Sequence, residues 1–458
     1  INGCRDSVAD NGTDDYPGMI NCPTNAYVIG GVGSLFDDEE QRLSAKLALT
    51  QRIHAVGNHE IKAGIDVEDN RLSSPRQFSG GAQYLNSVGE SIEEHRWVQL
   101  AAATDDSGRF DESCGPTGNP DGSEYRCDFL APGDAASAVE GNTFNWAAYL
   151  RDSWQILPNL TLNAGVRYEE QRLRYSEQLQ NTVDPLTSKQ LGKNAMVLKN
   201  MWAPRVGLVY DWTKDGRSKV YTNWGRFYES IPMDINDRSF GGETRIIRFF
   251  ESSACGATNA NIGGAKGTDC VANDAPQARD PFLFGTGVLT APGLKAQYLD
   301  ELLVGAEYQL QRDLKSGDSY QTRRMGRVLE DVSVDNADTY ILANPGEFDA
   351  GEEKKLQERI DGLPEGDGER IRLENELDQY RSIRIFDKPR RDYDALTLSA
   401  TKRFGRELFV QASYTYSRTE GNYPGLFSAD NGQLDPNITS QFDLIELLAN
   451  RDGPLPQD

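Results

Sequence analysis

Apolar and polar residues alternate with period two along much of this chain. Over 43–53, Leu43, Ala45, Leu47, Leu49 and Ile53 take one face, and Ser44, Lys46, Thr50 and Arg52 the other. Over 160–169, Leu160, Leu162, Ala164, Val166 and Tyr168 oppose Thr161, Asn163, Gly165, Arg167 and Glu169. Over 408–417, Leu408, Val410, Ala412, Tyr414 and Tyr416 oppose Phe409, Gln411, Ser413, Thr415 and Ser417. This alternation predicts strands with one face in apolar surroundings and one in polar surroundings. Less regular forms of it predict strands near 59–68, 96–103, 143–156, 202–212, 218–228, 296–311, 319–328 and 393–404. Gly and Ser recur on the polar faces, as expected where a strongly curved sheet leaves little room.

Short turns join strand pairs at Gly57-Asn58, Pro158-Asn159, Lys214-Asp215-Gly216, Leu314-Lys315-Ser316-Gly317 and Gly405-Arg406. These residue types tolerate the special φ values of tight turns. Between the pairs lie polar stretches of up to about 65 residues. Loops of that length are foreign to compact soluble domains and normal on the outer side of outer-membrane barrels. Parity then demands one more strand. The 59–68 and 96–103 strands both run outward, so an inward strand is expected between them, near Gln77–Leu85, giving about twelve strands. Trp97, Trp146, Trp154, Trp202, Trp212 and Trp224 all fall in these segments, mostly near an end. Aromatic rings favour the membrane–water boundary. The fold class expected is all-β, an antiparallel transmembrane β-barrel segment, in preference to a soluble sandwich. A short amphipathic pattern over 350–384, with Leu356, Ile360 and Leu363 and then Leu373, Leu377 and Tyr380, predicts a helical hairpin packed on itself.

Composition sharpens this picture. The 458 residues carry a net charge of −23 and a mean hydropathy of −0.61. The stretches 1–41, 104–142, 229–293 and 329–392 together hold −25, and the remainder holds +2. The negative charge therefore belongs to the long external loops, as solvated surface or as a face for cations. A chain of this charge is not a nucleic-acid binder, because phosphate contacts require Lys and Arg. The six cysteines form three sequence-local couples, and Cys4–Cys22, Cys114–Cys127 and Cys255–Cys270 are expected as disulfides in an oxidising compartment. No CxxC or HxxxH spacing supports a metal site, and no cofactor is expected. The three histidines, His54, His59 and His95, fit turn and surface roles. Gly263-Gly264-Ala265-Lys266-Gly267-Thr268 lacks the leading Gly and the Ser/Thr of a phosphate loop. Asp105-Asp106-Ser107-Gly108 and Asn119-Pro120-Asp121-Gly122 lack full calcium-loop spacing. No nucleophile or acid–base pair stands out, so no enzyme is expected.

The segment from Asn142 to Trp154, followed by Leu157 to Glu169, resembles a hairpin of TonB-dependent outer-membrane receptors. Trp202-Ala203-Pro204-Arg205-Val206-Gly207, Asn223-Trp224-Gly225-Arg226-Phe227-Tyr228-Glu229 and Arg391-Asp392-Tyr393-Asp394-Ala395-Leu396 resemble the Oar-like subgroup in particular. So do Ser413-Tyr414-Thr415-Tyr416-Ser417-Arg418 and Asp430-Asn431-Gly432-Gln433-Leu434-Asp435-Pro436-Asn437. The resemblance implies a barrel of about 22 strands with a plugged lumen, in the outer membrane of a Gram-negative bacterium. It implies import of a scarce solute, driven from the inner membrane by the TonB system through a plug domain.

On this reading the chain is a piece of a longer protein, with a signal peptide and plug upstream and further strands downstream. Residues 1–41 are an external loop region, and 42–458 are a partial barrel carrying the helical insert at 350–384. Outer-membrane lipid and lipopolysaccharide, the TonB system, the plug and an unknown solute are the expected partners. Alternation places Asn163, Arg167, Glu169, Arg205, Glu307, Gln309, Gln411 and Ser413 toward the lumen as ligand-binding candidates or plug contacts. The rival readings are a surface adhesion or binding protein anchored by a barrel, and a passive porin or export pore.

Overall fold

The computed structural model describes residues 26–29, 33–79, 83–87, 91–99, 137–177, 180, 192–240, 243–251, 277–279, 289–291, 293–333, 340–347, 350–383, 386–425, 442, 447 and 449–455. The six cysteines, and so the expected disulfides, lie outside the described residues. In chain order the first strands are β1 (Ala26–Ile29), β2 (Ser34–Phe36), β3 (Glu39–His54), β4 (Asn58–Phe78), β5 (Gln83–Ser87), β6 (Ser91–Gln99) and β7 (Ser137–Leu157). Next come β8 (Leu160–Arg174), β9 (Asn194–Tyr210), β10 (Ser218–Tyr228), helix α1 (Met233–Phe240), β11 (Glu243–Glu251), β12 (Gln277–Arg279), β13 (Leu289–Thr290) and β14 (Tyr298–Gln311). The chain continues through β15 (Leu314–Arg327), β16 (Glu330–Ser333), β17 (Tyr340–Ala343), helices α2 (Ala350–Asp361) and α3 (Gly368–Ile383), β18 (Arg391–Phe404), β19 (Leu408–Gly421) and β20 (Gly453–Pro454).

One antiparallel sheet of twelve strands makes the wall, in the order β2-β4-β7-β8-β9-β10-β14-β15-β18-β19-β20, with β3 also paired to β4. Ladder partners share a face, so the registers give each face as a continuous surface. One face carries Leu47, Ile65, Ala148, Tyr168 and Trp202 in a single row across five strands. On this face Leu47 is 75% and Tyr414 65% exposed, as expected of side chains whose neighbours are lipid. Tyr168 touches both Trp146 and Trp202, with ring centroids 5.3 and 4.9 Å apart. At the other end Trp154 stacks on His59 and Trp212 on Tyr308. From Trp146 to Trp154 along β7 is about 27 Å at ~3.4 Å per residue, close to the ~25 Å apolar band of outer-membrane barrels.

Three sequence expectations need correction. The wall strands expected near Gln77–Leu85 and 96–103 are not in the wall. Here β4 pairs directly with β7, from Asn58↔Gln155 to Arg76↔Ser137. The intervening β5 and β6 join β1, β11 and β12 in a separate five-stranded sheet, so Trp97 of β6 also lies outside the wall. Parity is kept because two crossings are missing rather than one. The wall's tally of twelve comes instead from the short pieces β2 and β20. The turn expected at Leu314–Gly317 lies earlier, at Arg312-Asp313, and Leu314 already begins β15. Several strands also run further outward than their alternation: β4 and β7 have 21 residues each, against the 9–11 or so that span a bilayer.

The periplasmic turns are tight. Val56 and Gly57 adopt φ of 46° and 104°, and a Cβ at Gly57 would lie 2.3 Å from the Gln155 carbonyl oxygen. In the turn between β9 and β10, Asp211 Oδ1 accepts from Ser218 Oγ (2.5 Å) and Thr213 Oγ1 (2.6 Å), and Oδ2 accepts from the Gly216 amide (2.7 Å). These donors, Ser218 first, hold its carboxyl well below the usual carboxylate range.

The outer end of the wall carries a packed cap. Helix α1 and its approach place Ile231, Ile235 and Phe240 against Leu173, Met196, Leu198 and Met201, which project from the polar-parity face above the membrane. A second core joins Tyr380, Ile383 and Phe386 to Val332, Ile341 and Tyr423. Leu356, Ile360, Leu373 and Leu377 pack between α2 and α3, so the hairpin does pack on itself. Its α3 end additionally docks on the three-stranded sheet β13-β17-β16, a contact that periodicity alone does not reveal.

Candidate functional site

The ligand-binding candidates derived from alternation all fall on the wall's polar face. The register runs Arg151↔Gly165↔Arg205↔Gly225↔Glu301 on one rung. Ser153↔Asn163↔Gly207↔Asn223 lies below it and Tyr149↔Arg167↔Ala203 above it. This face lines a cavity of about 620 Å³. Asn163, Arg167 and Arg205 border it.

The other candidates are placed differently. Glu169 and Asp66 both accept from Arg167, the latter at 2.6 Å, so the Arg167 charge is already matched. Glu307 is ion-paired with Lys219 (3.5 Å) and Lys315. Gln309 donates to the Arg312 carbonyl at the periplasmic turn, a turn-bracing role. Gln411 and Ser413 lie on β19 at the sheet's far edge, opposite Thr401 and Ser399, and do not border the cavity.

Sequence reasoning passed over Lys62, Tyr149, Arg151, Phe227 and Glu301, which also line the cavity. All lie in strands that the alternation located, and the signal for them is the same parity. Only the register across β4, β7, β8, β9, β10 and β14 shows that they converge. Glycine makes the room. Tyr149 lies over Gly64 and Tyr221 over Gly305, each the direct cross-strand partner of its glycine. Arg205 stacks on Phe227, its guanidinium carbon 4.4 Å from the ring centroid, and a Cβ at Gly225 would sit 3.1 Å from the Arg205 Cγ.

The carboxylates bordering the cavity are engaged. Glu60 accepts from Arg52 (3.0 Å), Glu301 from Arg323 (2.6 Å) and Gln321 (2.7 Å), and Asp152 lies 2.7 Å from His59 Nδ1. Among the described residues, no group of three or more His, Cys, Asp or Glu is arranged to hold a metal ion.

Just above β10 and β14 a buried polar knot ties the cap to the wall. Gln297, fully buried, donates to Glu229 (2.5 Å) and accepts from the Leu329 amide (2.9 Å) and the Tyr423 hydroxyl (3.3 Å). Burial pushes the Glu229 carboxyl above its ordinary range, opposed by its hydrogen bond from Gln297.

An antiparallel wall with an apolar, aromatic-belted outer face and a polar, cavity-bearing inner face is the wall of an outer-membrane β-barrel. The chain belongs to the family described as "Outer membrane beta barrel domain", matched over residues 11–446, and it resides in the outer membrane of a Gram-negative bacterium. It is similar to the TonB-dependent transporter Oar of Myxococcus xanthus, with 32% identity over 455 residues. That alignment covers 96% of this chain and 37% of the relative, so the chain spans well under half of that protein's length.

Among solved structures, the FpvAI–pyocin S2 complex aligns with 90% of this chain and 36% of its own, at 10% identity and a TM-score of 0.43. FpvA of P. aeruginosa bound to heterologous pyoverdines aligns with 91% and 36%, at 12% identity and a TM-score of 0.42. The fold assignment rests on the strand ladder and the family match.

Proposed function

We propose that this chain is part of the wall of a TonB-dependent outer-membrane transporter that binds a scarce solute and imports it with energy from the inner membrane. The single observation that carries this reading is the cavity on the polar face, lined by six adjacent strands, five of which supply charged residues. A barrel that served only as an anchor has no need of such a surface. The name and coverage of the Oar relative support the same reading. Among the described residues, β3 pairs with β4 alone, and β19 pairs with β18 and two residues of β20. Bare strand edges are not tolerated in hydrocarbon, so both edges are places for further strands, with a plug domain in the enclosed lumen.

The test is solute accumulation by cells with and without the protein, before and after collapse of the proton-motive force. Uptake that needs both the protein and the force, with surface binding that survives the collapse, is the expected result. Uptake indifferent to the force would mean a passive pore. Cell attachment without uptake would mean an adhesin.

A further inference from the structure

We propose that Lys62, Arg151 and Arg205 form an anion-binding row on the polar face, taking a solute that carries a phosphate or carboxylate group. The inference rests on the import reading and names the class of its ligand.

Lys62 and Arg151 are direct cross-strand partners on β4 and β7. Like charges placed opposite each other in a sheet are destabilising, and among the described residues no carboxylate is paired with either. Next to Arg151 on the same rung comes Gly165, and then Arg205. The missing side chain at Gly165 leaves a gap of about 10 Å between the two arginine strands, at ~4.8 Å per strand step. A Cβ there would meet the Arg151 Cβ at 2.9 Å.

Arg205 is held from the β10 side, away from the gap, by the Phe227 ring. All three cations border the same cavity of about 620 Å³. Its carboxylates, Glu60, Asp152 and Glu301, already have partners in Arg52, His59 and Arg323. Its fourth cation, Arg167, is matched by Asp66 and Glu169. The charge left over is therefore positive and confined to one rung, in a chain whose net charge is −23. Two arginines flanking an open gap, with Lys62 beside one of them, suit a multiply charged oxyanion.

The test uses the intact protein, extracted in detergent from outer membranes, with inorganic pyrophosphate as the probe in calorimetric titrations at low ionic strength. The wild type is expected to bind pyrophosphate and to weaken as salt is raised. Lys62→Gln, Arg151→Gln and Arg205→Gln are each expected to weaken binding by about tenfold, the scale of one charge-assisted contact. Lys219→Gln, which removes a cation already paired with Glu307, is expected to leave binding unchanged. The melting temperature of Lys62→Gln should stay level or rise, since a repulsion is removed, whereas a purely structural role would lower it. No pyrophosphate binding by the wild type, or equal losses in Lys219→Gln and the row variants, would overturn the proposal. Such a failure is separable from failure of the import reading: uptake that still required the proton-motive force would keep the transporter and discard only the anion row.

Discussion

Tyr149 lies across Gly64 on the neighbouring strand, so closely that a Cβ on Gly64 would fall 2.5 Å from the tyrosine hydroxyl oxygen. The two residues are register partners on the polar face, and the same arrangement recurs with Tyr221 and Gly305. The ring uses the space that a side chain would fill, which lets the wall curve inward without a gap. Gly64→Val should expel the ring from this seat and destabilise the intact barrel by about 1–3 kcal/mol, the usual cost of overpacking. Urea unfolding in lipid vesicles measures it. An unchanged midpoint would show that the ring has equivalent seats.

Val206 sits on the opposite face, between Ala164 and Trp224 on the ladder. Val206→Arg should cost about 2–4 kcal/mol in vesicles, the penalty for a lipid-facing charge near the bilayer midplane. Thr397→Arg, on the polar face opposite Ser319 and Thr415, should cost much less. Equal costs would mean that the faces are assigned the wrong way round.

Glu229 gives the cap a pH dependence. Its carboxyl is raised by burial, so the folded cap holds this proton more tightly than the unfolded chain does. The associated stability is complete below the ordinary glutamate pKa of about 4.3 and fades as pH rises through the raised value. The protection factor of the Leu329 amide, which donates to the same Gln297, should fall between acid and neutral pH. Glu229→Gln should flatten that fall and raise the protection at pH 7.

The turn carboxylate behaves in the opposite sense. Asp211 is depressed by hydrogen bonds from Ser218, Thr213 and Gly216, so its contribution is present above the ordinary aspartate pKa and lost only as pH falls through a much lower value. Protection of the Gly216 amide should therefore survive at pH 4, and Asp211→Ala should abolish it at every pH.

Leu373 is fully buried between α2 and α3. Leu373→Ala should cost about 2–5 kcal/mol, spent locally. Limited proteolysis within 350–383 should quicken while the mobility of the unheated barrel on gels stays unchanged.

Much of the wall was legible in the sequence because burial there has a strict period. Leu160 to Glu169 and Leu408 to Ser417 display both faces in ten residues each, and their ladder partners follow from the short turns. Above the membrane the environment no longer alternates between lipid and water. Asp69, Asn70 and Arg71 continue β4 with no apolar face, and Pro75 interrupts the pattern further, so ten residues of strand were invisible. Alternation also says that a segment is half-buried, not which sheet it joins, which is how β6 was misplaced. The cavity was legible only in part for a related reason. Asn163 and Arg205 follow from parity on single strands, but Lys62 and Arg151 gain meaning from being opposite each other. That is a property of register, set by two turns far apart in the chain.

The length of β4 and β7 has a consequence for what the cell surface presents. Ten or so residues beyond the bilayer, at ~3.3 Å each and tilted by ~40°, raise the strand ends near Phe78 and Ser137 about 25 Å above the lipid. The Debye length in physiological salt is about 8 Å, so charges carried at that height are separated from the headgroups by some three screening lengths. The scaffold thus works as a pedestal. An approaching ligand meets a platform whose field is its own, insulated from whatever charge the underlying membrane bears.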